Sequence, residues 1–277
     1  MATTRRRLDT ELVRRGLVPS RRAAREVIAE RRVTVGGAPA LKADRRVAPD
    51  EPVLVRGDAS RYVSRGGDKL AAALAHFAVP VDGARALDVG ASTGGFTDCL
   101  LQHGAARVVA VDVGRGQLHE RLRADRHVEL HERTNVRELA RGDLGPPFDL
   151  VVADLSFISL RTVAVNLVAQ CADDGQLVVL VKPQFEAGRH EATRGRGVIR
   201  DPAVWRRVLD DVSAAFVQAG AAIMDGVTSP LRGADGNVEF FLHGGLRSDA
   251  AAPGAGLDID GLIAHAAAEA GAAGGSS

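Results

Sequence analysis

Apolar residues fall into two rhythms along this chain. Between residues 8 and 28 they recur every three or four positions, as Leu8, Leu12 and Val13, then Ala24, Val27 and Ile28, which is the spacing of a helical face. Gly16 ends the first stretch, and Ser20 stands where the N-cap of a second helix belongs. The rhythm then shortens to β-branched runs at Arg32 to Val35, Val47, and Val53 to Val55, with Gly36-Gly37 as a turn. Two short helices and a small ribbon are expected over residues 1–60, followed by a linker over 61–67.

From Ala84 onward the apolar runs have the length of buried strands: Ala84 to Val89, Arg107 to Val113, Phe148 to Ala153 and Gln176 to Val181. Asp201-Pro202 supplies a cap and an N1 proline to a helix whose inner stripe is Val204, Trp205, Val208, Leu209, Val212 and Phe216. Strands alternating with helices, with polar residues at the strand ends, predict a doubly wound α/β domain over residues 68–248. A helix over 258–270 and a disordered tail are expected to complete residues 249–277.

Composition adds polarity to this picture. The 277 residues are 45% hydrophobic, enough for a full core, and the net charge of +1 names no partner. Its distribution does more: residues 1–60 hold 14 basic and 8 acidic side chains, so the excess positive charge lies at one end. That suits a small module for nucleic acid, although an ordinary solvated arginine-rich face carries the same charge. No aromatic residue precedes Tyr62, so base stacking by this unit is not expected. No apolar run approaches the ~18–20 residues that cross a bilayer, and no apolar stretch follows the basic N-terminus as in a secretory signal. A cytoplasmic protein away from membranes is expected. Cys99 and Cys171 lack ligand spacing and read as reduced thiols, with no metal site. Lysine occurs only at Lys42, Lys69 and Lys182. In a chain that otherwise uses arginine, a retained lysine marks a place where a wide, permanently protonated guanidinium does not serve.

The chemistry centres on Gly90-Ala91-Ser92-Thr93-Gly94-Gly95-Phe96, directly after a strand. Ser92 replaces the second glycine of a dinucleotide fingerprint, and Asp88 beside the loop disfavours a pyrophosphate. No P-loop motif occurs. The cationic sulfonium and amino group of S-adenosylmethionine suit Asp88 instead. Asp112 ends the next strand, where a ribose diol would be bound; a surface or helix-capping aspartate is the plainer alternative. Asn135-Val136 follows the third expected strand and is placed near an adenine.

Residues 5–57 resemble the S4 RNA-binding module, in which Arg5, Arg14, Ser20, Arg21, Arg22 and Arg25 match positions that contact RNA phosphates. Lys69, the segment Asp88 to Thr97, Asp154-Leu155-Ser156-Phe157-Ile158-Ser159, Val181-Lys182-Pro183-Gln184-Phe185-Glu186 and Val238-Glu239-Phe240 together resemble the TlyA family, also called haemolysin A, over about residues 5–245. The resemblance implies a Rossmann-like S-adenosylmethionine-dependent methyltransferase domain similar to the FtsJ/RrmJ class. It implies transfer of a methyl group to the ribose 2′-hydroxyl of cytidine in 16S, and in many members 23S, ribosomal RNA. The implied catalytic tetrad is Lys69, Asp154, Lys182 and Glu239. Implied cofactor contacts are Asp88, Gly90, Ala91, Ser92, Thr93, Gly94, Gly95, Phe96, Asp112, Val113, Asn135, Val136 and Asp154. Arg61-Tyr62-Val63 matches the family's Arg-x-Trp-Val linker with one residue fewer. Ribosomal RNA or ribosomal subunits are the expected partners, and a monomer the expected state.

Methyl transfer to a hydroxyl requires a held oxygen and one managed proton. Lys182, ending a strand beside Asp154, is expected nearest that proton, unless the two merely pair to stabilise strand ends. Arg65 beside the linker, Arg189 and Arg196 in the 186–200 loop, and Arg232 in the 228–237 loop are expected to face RNA, with both loops as mobile lids. A base methyltransferase calls for Asn/Asp-Pro-Pro-Tyr/Phe where Asp154-Leu155-Ser156-Phe157 stands, and a membrane-lysing protein has no physical support.

Overall fold

The structure is a computed structural model that describes residues 5–18, 21–29, 31–56, 61–188, 191, 197–233, 236–246 and 256–274, setting aside the side chains of residues 22, 26 and 270–274. The chain divides into two compact units, Met1–Ser60 and Arg61–Ser277.

In the first unit, strand β1 (Arg6–Arg7) leads into helices α1 (Leu8–Arg14) and α2 (Arg21–Ala29), then strands β2 (Val33–Val35), β3 (Ala38–Pro39), β4 (Arg46–Val47) and β5 (Val53–Val55). Antiparallel pairing joins β1 to β4 and orders the other three as β3-β2-β5. Leu8, Leu12, Ala24, Ile28, Val33, Val35, Val47 and Val53 close one core, so the three-and-four spacing of the helices does pack against the β-branched runs.

The second unit begins with helix α3 (Gly66–Phe77), which corrects the expectation of a linker as far as Gly67. The Tyr62 ring is buried against Gly67, where any side chain would collide with it, and this contact draws the two glycines into the first helical turn. Next come β6 (Arg85–Val89), α4 (Gly95–Gln102), β7 (Arg107–Asp112), α5 (Glu120–Arg123), β8 (Val128–Glu132), β9 (Phe148–Ala153), α6 (Leu160–Gln170), β10 (Cys171–Val181), α7 (Pro183–Glu186), α8 (Pro202–Gln218), β11 (Ala222–Thr228), β12 (Phe240–Gly245) and α9 (Ile259–Gly274). The Asp201 side chain accepts from the Ala203 amide at 2.9 Å, the N-cap expected of Asp201-Pro202.

Seven strands form one sheet in the order β11-β12-β10-β9-β6-β7-β8, with β12 antiparallel to both neighbours and the rest parallel. Alternate residues feed two cores. Leu177, Val179 and Val181 pack with α6 and α8, whereas Val178 and Leu180 pack with Leu70, Leu74 and Leu100 of α3 and α4. Each fully buried side chain of this kind is worth roughly 1.5–3 kcal/mol. The C-terminal helix runs through Gly274, beyond the end expected for it, and its Leu262 and Ala266 dock into the first of these cores. Among the described residues no helix is long and apolar enough to cross a membrane.

The order of the sheet reverses between β6 and β9. In an open α/β sheet such a switch point leaves a crevice outside the carboxyl ends of the strands. Gly90, Asp112, Asp154 and Lys182 stand at those ends, and Glu239 precedes the antiparallel β12, whose Phe240 pairs with Val181.

Candidate active site

The glycine loop is shaped by its own surroundings. Gly90 has φ +87°, and a Cβ there would overlap the Asp154 carbonyl oxygen, so only glycine lets the end of β6 cross the end of β9. Asp112 accepts the Ser92 amide at 2.8 Å and the Gly114 amide at 2.6 Å, which pins the loop to the end of β7. That backbone-capping role is real, and each carboxylate oxygen retains a lone pair for a further donor. Ala91 is buried and Thr93 half-buried, its carbonyl accepting the His119 amide at 3.2 Å; Gly94 and Gly95 open helix α4. The Phe96 ring lies in the core, stacked 6.1 Å from Phe241, and Val136 is a core residue too. Only their backbone is available to a ligand. Val113 is exposed just past β7, while the Asn135 side chain caps the turn Val136–Glu138 through the Arg137 amide at 3.1 Å.

Asp88 is fully buried. Thr97 Oγ1 donates to its Oδ2 at 2.6 Å, and its Oδ1 has no hydrogen-bond partner among the described residues. Burial pushes the carboxyl up to about 7 against the Thr97 bond, with the Asp154 and Asp112 charges adding to the rise. An incompletely bonded carboxylate at this depth favours a cation in the crevice and opposes an anion.

The four tetrad positions form two ion pairs. Lys69, in the first turn of α3, donates to Glu239 Oε2 at 2.5 Å, and both side chains are buried. Lys182 pairs with Asp154 Oδ1 and donates to Ser156 Oγ at 3.1 Å. Around them, Arg65 donates to the Arg232 carbonyl at 2.7 Å. Buried Asn237 accepts the Ile199 amide at 2.8 Å and donates to the Gly197 carbonyl at 2.8 Å. Ser229 is likewise tied to Glu239. The described parts of the two loops expected as mobile lids are therefore fastened to each other, because Asn237 of the second spends its side-chain amide on Gly197 and Ile199 of the first. Arg189, Arg194 and Arg196 lie outside the described residues.

Three neighbours were given no role from the sequence. Phe157 is 91% exposed at φ +66°, with its ring 5.1 Å from that of Phe185. A bulky residue held in the left-handed region and in water is an anomaly of the kind that gathers at functional sites. Buried Glu186 accepts Ser159 Oγ at 2.5 Å and the Leu160 amide at 2.7 Å, so it ties the segment after Lys182 to the segment after Asp154. Ser156 completes the cage of Lys182. The signal was present in the sequence, since all three lie in the two motif segments that carry the family resemblance.

In the first unit Arg14, Arg21 and Arg25 are not bare charges. Arg14 pairs with Glu11 at 2.6 Å, Arg21 with Asp9 at 2.9 Å and Arg25 with Asp9 at 3.7 Å. Arg5 is exposed, and its carbonyl accepts from Arg46 at 3.3 Å. Ser20 and the Arg22 side chain lie outside the described residues.

Comparison with known proteins agrees with this division. An FtsJ-like methyltransferase family model matches residues 62–246, and an S4 domain model matches residues 6–53. The chain is 47% identical over 255 residues to the 16S/23S rRNA (cytidine-2′-O)-methyltransferase TlyA of Mycobacterium tuberculosis, covering 92% of this chain and 95% of that one. It is 34% identical over 184 residues to the 23S rRNA (cytidine-2′-O)-methyltransferase TlyA of Campylobacter jejuni, covering 66% and 70%. A solved structure from Streptococcus thermophilus, described as a hemolysin, superposes with a TM-score of 0.75 at 35% identity, over 98% of this chain and 99% of that one.

Proposed function

The chain belongs to the TlyA family, S4-domain proteins with an FtsJ-like methyltransferase domain, and from that premise we propose a reading of how its residues work. It is a ribosomal RNA methyltransferase acting on the 2′-hydroxyl of cytidine. The observation that carries the mechanism is the double ion pair, Lys69–Glu239 and Lys182–Asp154, at the carboxyl ends of the strands beside the glycine loop.

Bound in the crevice, S-adenosylmethionine supplies an electrophilic methyl group next to a positive sulfur. The residues that would hold it are the Gly90–Gly95 loop, Asp112, and the backbone near Asn135. The buried, unpartnered oxygen of Asp88 fits its positive charge and argues against NAD. Lys182 Nζ, once its ammonium has released a proton to water, receives the proton that the ribose oxygen gives up as that oxygen bonds to the methyl carbon and the carbon–sulfur bond breaks. Asp154 and Ser156 hold that nitrogen in place. Lys69 and Glu239 position the ribose from the other side, their buried pairing keeping both charges fixed. Exposed Phe157 offers a face on which the base of the target nucleotide stacks. The S4 unit contributes affinity through arginine contacts to RNA phosphates.

The test is methyl transfer from labelled S-adenosylmethionine to ribosomal RNA by the purified protein, with the methylated positions mapped. Ribose-methylated cytidine is expected. A methylated base, or no transfer to any ribosomal RNA, would overturn the reading.

A further inference from the structure

We propose that Asp9 and Glu11 are positioning residues for RNA: two buried carboxylates that set the directions in which the arginines above them meet the phosphates of an RNA backbone. The inference rests on the reading of the first unit as an RNA-binding module and goes one layer beneath its surface.

Six guanidiniums from three elements converge on these two groups. Asp9 takes Arg7 of β1 through two bonds of 3.1 Å, Arg21 of α2 at 2.9 Å, and Arg25 of α2 at 3.7 Å. Glu11 takes Arg14 at 2.6 Å and 2.8 Å, Arg15 at 2.8 Å, and Arg6 at 4.0 Å. Both carboxylates are sealed from solvent, whereas Arg6, Arg7, Arg14, Arg21 and Arg25 stay between 40% and 61% exposed. Arg15 differs. It is 19% exposed and spends its other N–H groups on the carbonyls of Ala48, Pro49 and Glu51, so it is a structural tie.

A guanidinium has five N–H donors and no acceptor. One or two are spent on the carboxylate below, and the rest remain for a ligand above. The side chain, otherwise costly to order, is held before RNA arrives. Burial alone would raise the Asp9 carboxyl, but the bonds from Arg7 and Arg21 outweigh it and hold the group well below the carboxylate range. The bonds from Arg14 likewise bring Glu11 down to about 2 against burial. Both therefore stay charged at every pH at which RNA is stable. Stability alone does not account for them, since buried ion pairs rarely improve on apolar packing of the same volume, and Leu8 and Leu12 of the same helix already fill the core.

Charge and geometry predict opposite signs here, which makes the test sharp. Asp9→Asn removes a negative charge from beneath an arginine cluster. If the arginines act only through net charge, RNA affinity should rise. If Asp9 aims them, affinity should fall. The measurement is binding of the full-length protein to purified 16S ribosomal RNA over roughly 50 to 200 mM salt, with a thermal melt of each variant. We expect Asp9→Asn to weaken binding about tenfold and to lower the salt slope by roughly one for each phosphate that is no longer neutralised. In an Arg21→Ala/Arg25→Ala background the same substitution should change affinity by much less than it does in the parent, because only Arg7 of its three arginine partners remains. A merely structural Asp9 would give an additive loss. Unchanged or tighter binding by Asp9→Asn, where the double arginine variant is weakened, overturns the proposal and leaves the RNA-binding reading intact. If the double arginine variant binds as tightly as the parent, that reading falls and takes this proposal with it. Should Asp9→Asn fail to melt cooperatively, Glu11→Gln decides. Weaker binding, non-additive with Arg14→Ala, supports the proposal, and unchanged or tighter binding overturns it.

Discussion

Lys182 is held from two directions, by the Asp154 carboxylate and the Ser156 hydroxyl, and this decides what its substitutions should reveal. Lys182→Ala should leave donor binding by calorimetry nearly unchanged and reduce turnover by roughly 10²-fold or more, the usual worth of a placed acid–base group. Lys182→Arg keeps the charge for Asp154 but has no proton-accepting form. Single-turnover methylation should fall for the arginine variant nearly as far as for alanine; a near-normal rate would make Lys182 an orienting charge only. Asp88 governs pH dependence. A carboxyl raised to about 7 in the folded protein favours folding while protonated. That contribution is complete below its ordinary value of ~4, and it is lost as pH rises through the folded value. A cationic donor reverses the preference, since it favours the carboxylate. Donor affinity should therefore increase from roughly pH 6 to pH 8 with release of a proton, and Asp88→Asn should flatten the profile in calorimetry.

The loop between β6 and α4 is held by contacts at its back as much as by any need of a ligand at its front. Gly90 has a positive φ and lies against the Asp154 carbonyl. Gly90→Ala should cost about 1–3 kcal/mol in a thermal melt, as strained backbone does, and should displace Asp154 from Lys182. Turnover should then fall further than stability alone explains. A variant of normal stability and rate would show that the crossing of these strand ends is slack. The α1–α2 pair teaches a related lesson. Its helices are legible from Leu8, Leu12, Ala24 and Ile28, but a residue count enters Asp9 and Glu11 merely as acids diluting a basic stretch. Buried in the folded unit, those acids organise the arginines they were set against.

The two units divide the labour, so removal of one should leave the chemistry of the other. Deleting residues 1–57 should weaken binding to ribosomal RNA and flatten its salt dependence, while calorimetry shows donor affinity retained. Equal RNA affinity without them would deny the first unit its role. Much of this organisation follows from local order in the chain. Apolar spacing of three and four, β-branched runs, the Asp201-Pro202 cap and the glycine loop after Val89 act through residues a few positions apart, and neighbours in sequence suffice to read them. The motif segments resembling a family also pointed to Lys69, Asp154, Lys182 and Glu239 as one tetrad. Their pairing was another matter. Lys69 meets Glu239 across 170 positions, α3 begins at Gly66 because Tyr62 covers Gly67, and Asn237 fastens two loops by reaching residues 197 and 199. Such contacts depend on which chain ends the sheet brings side by side. Whether a carboxylate is buried beneath arginines, or a phenylalanine is left in water, depends on what packs over it, and no local pattern of residues encodes that.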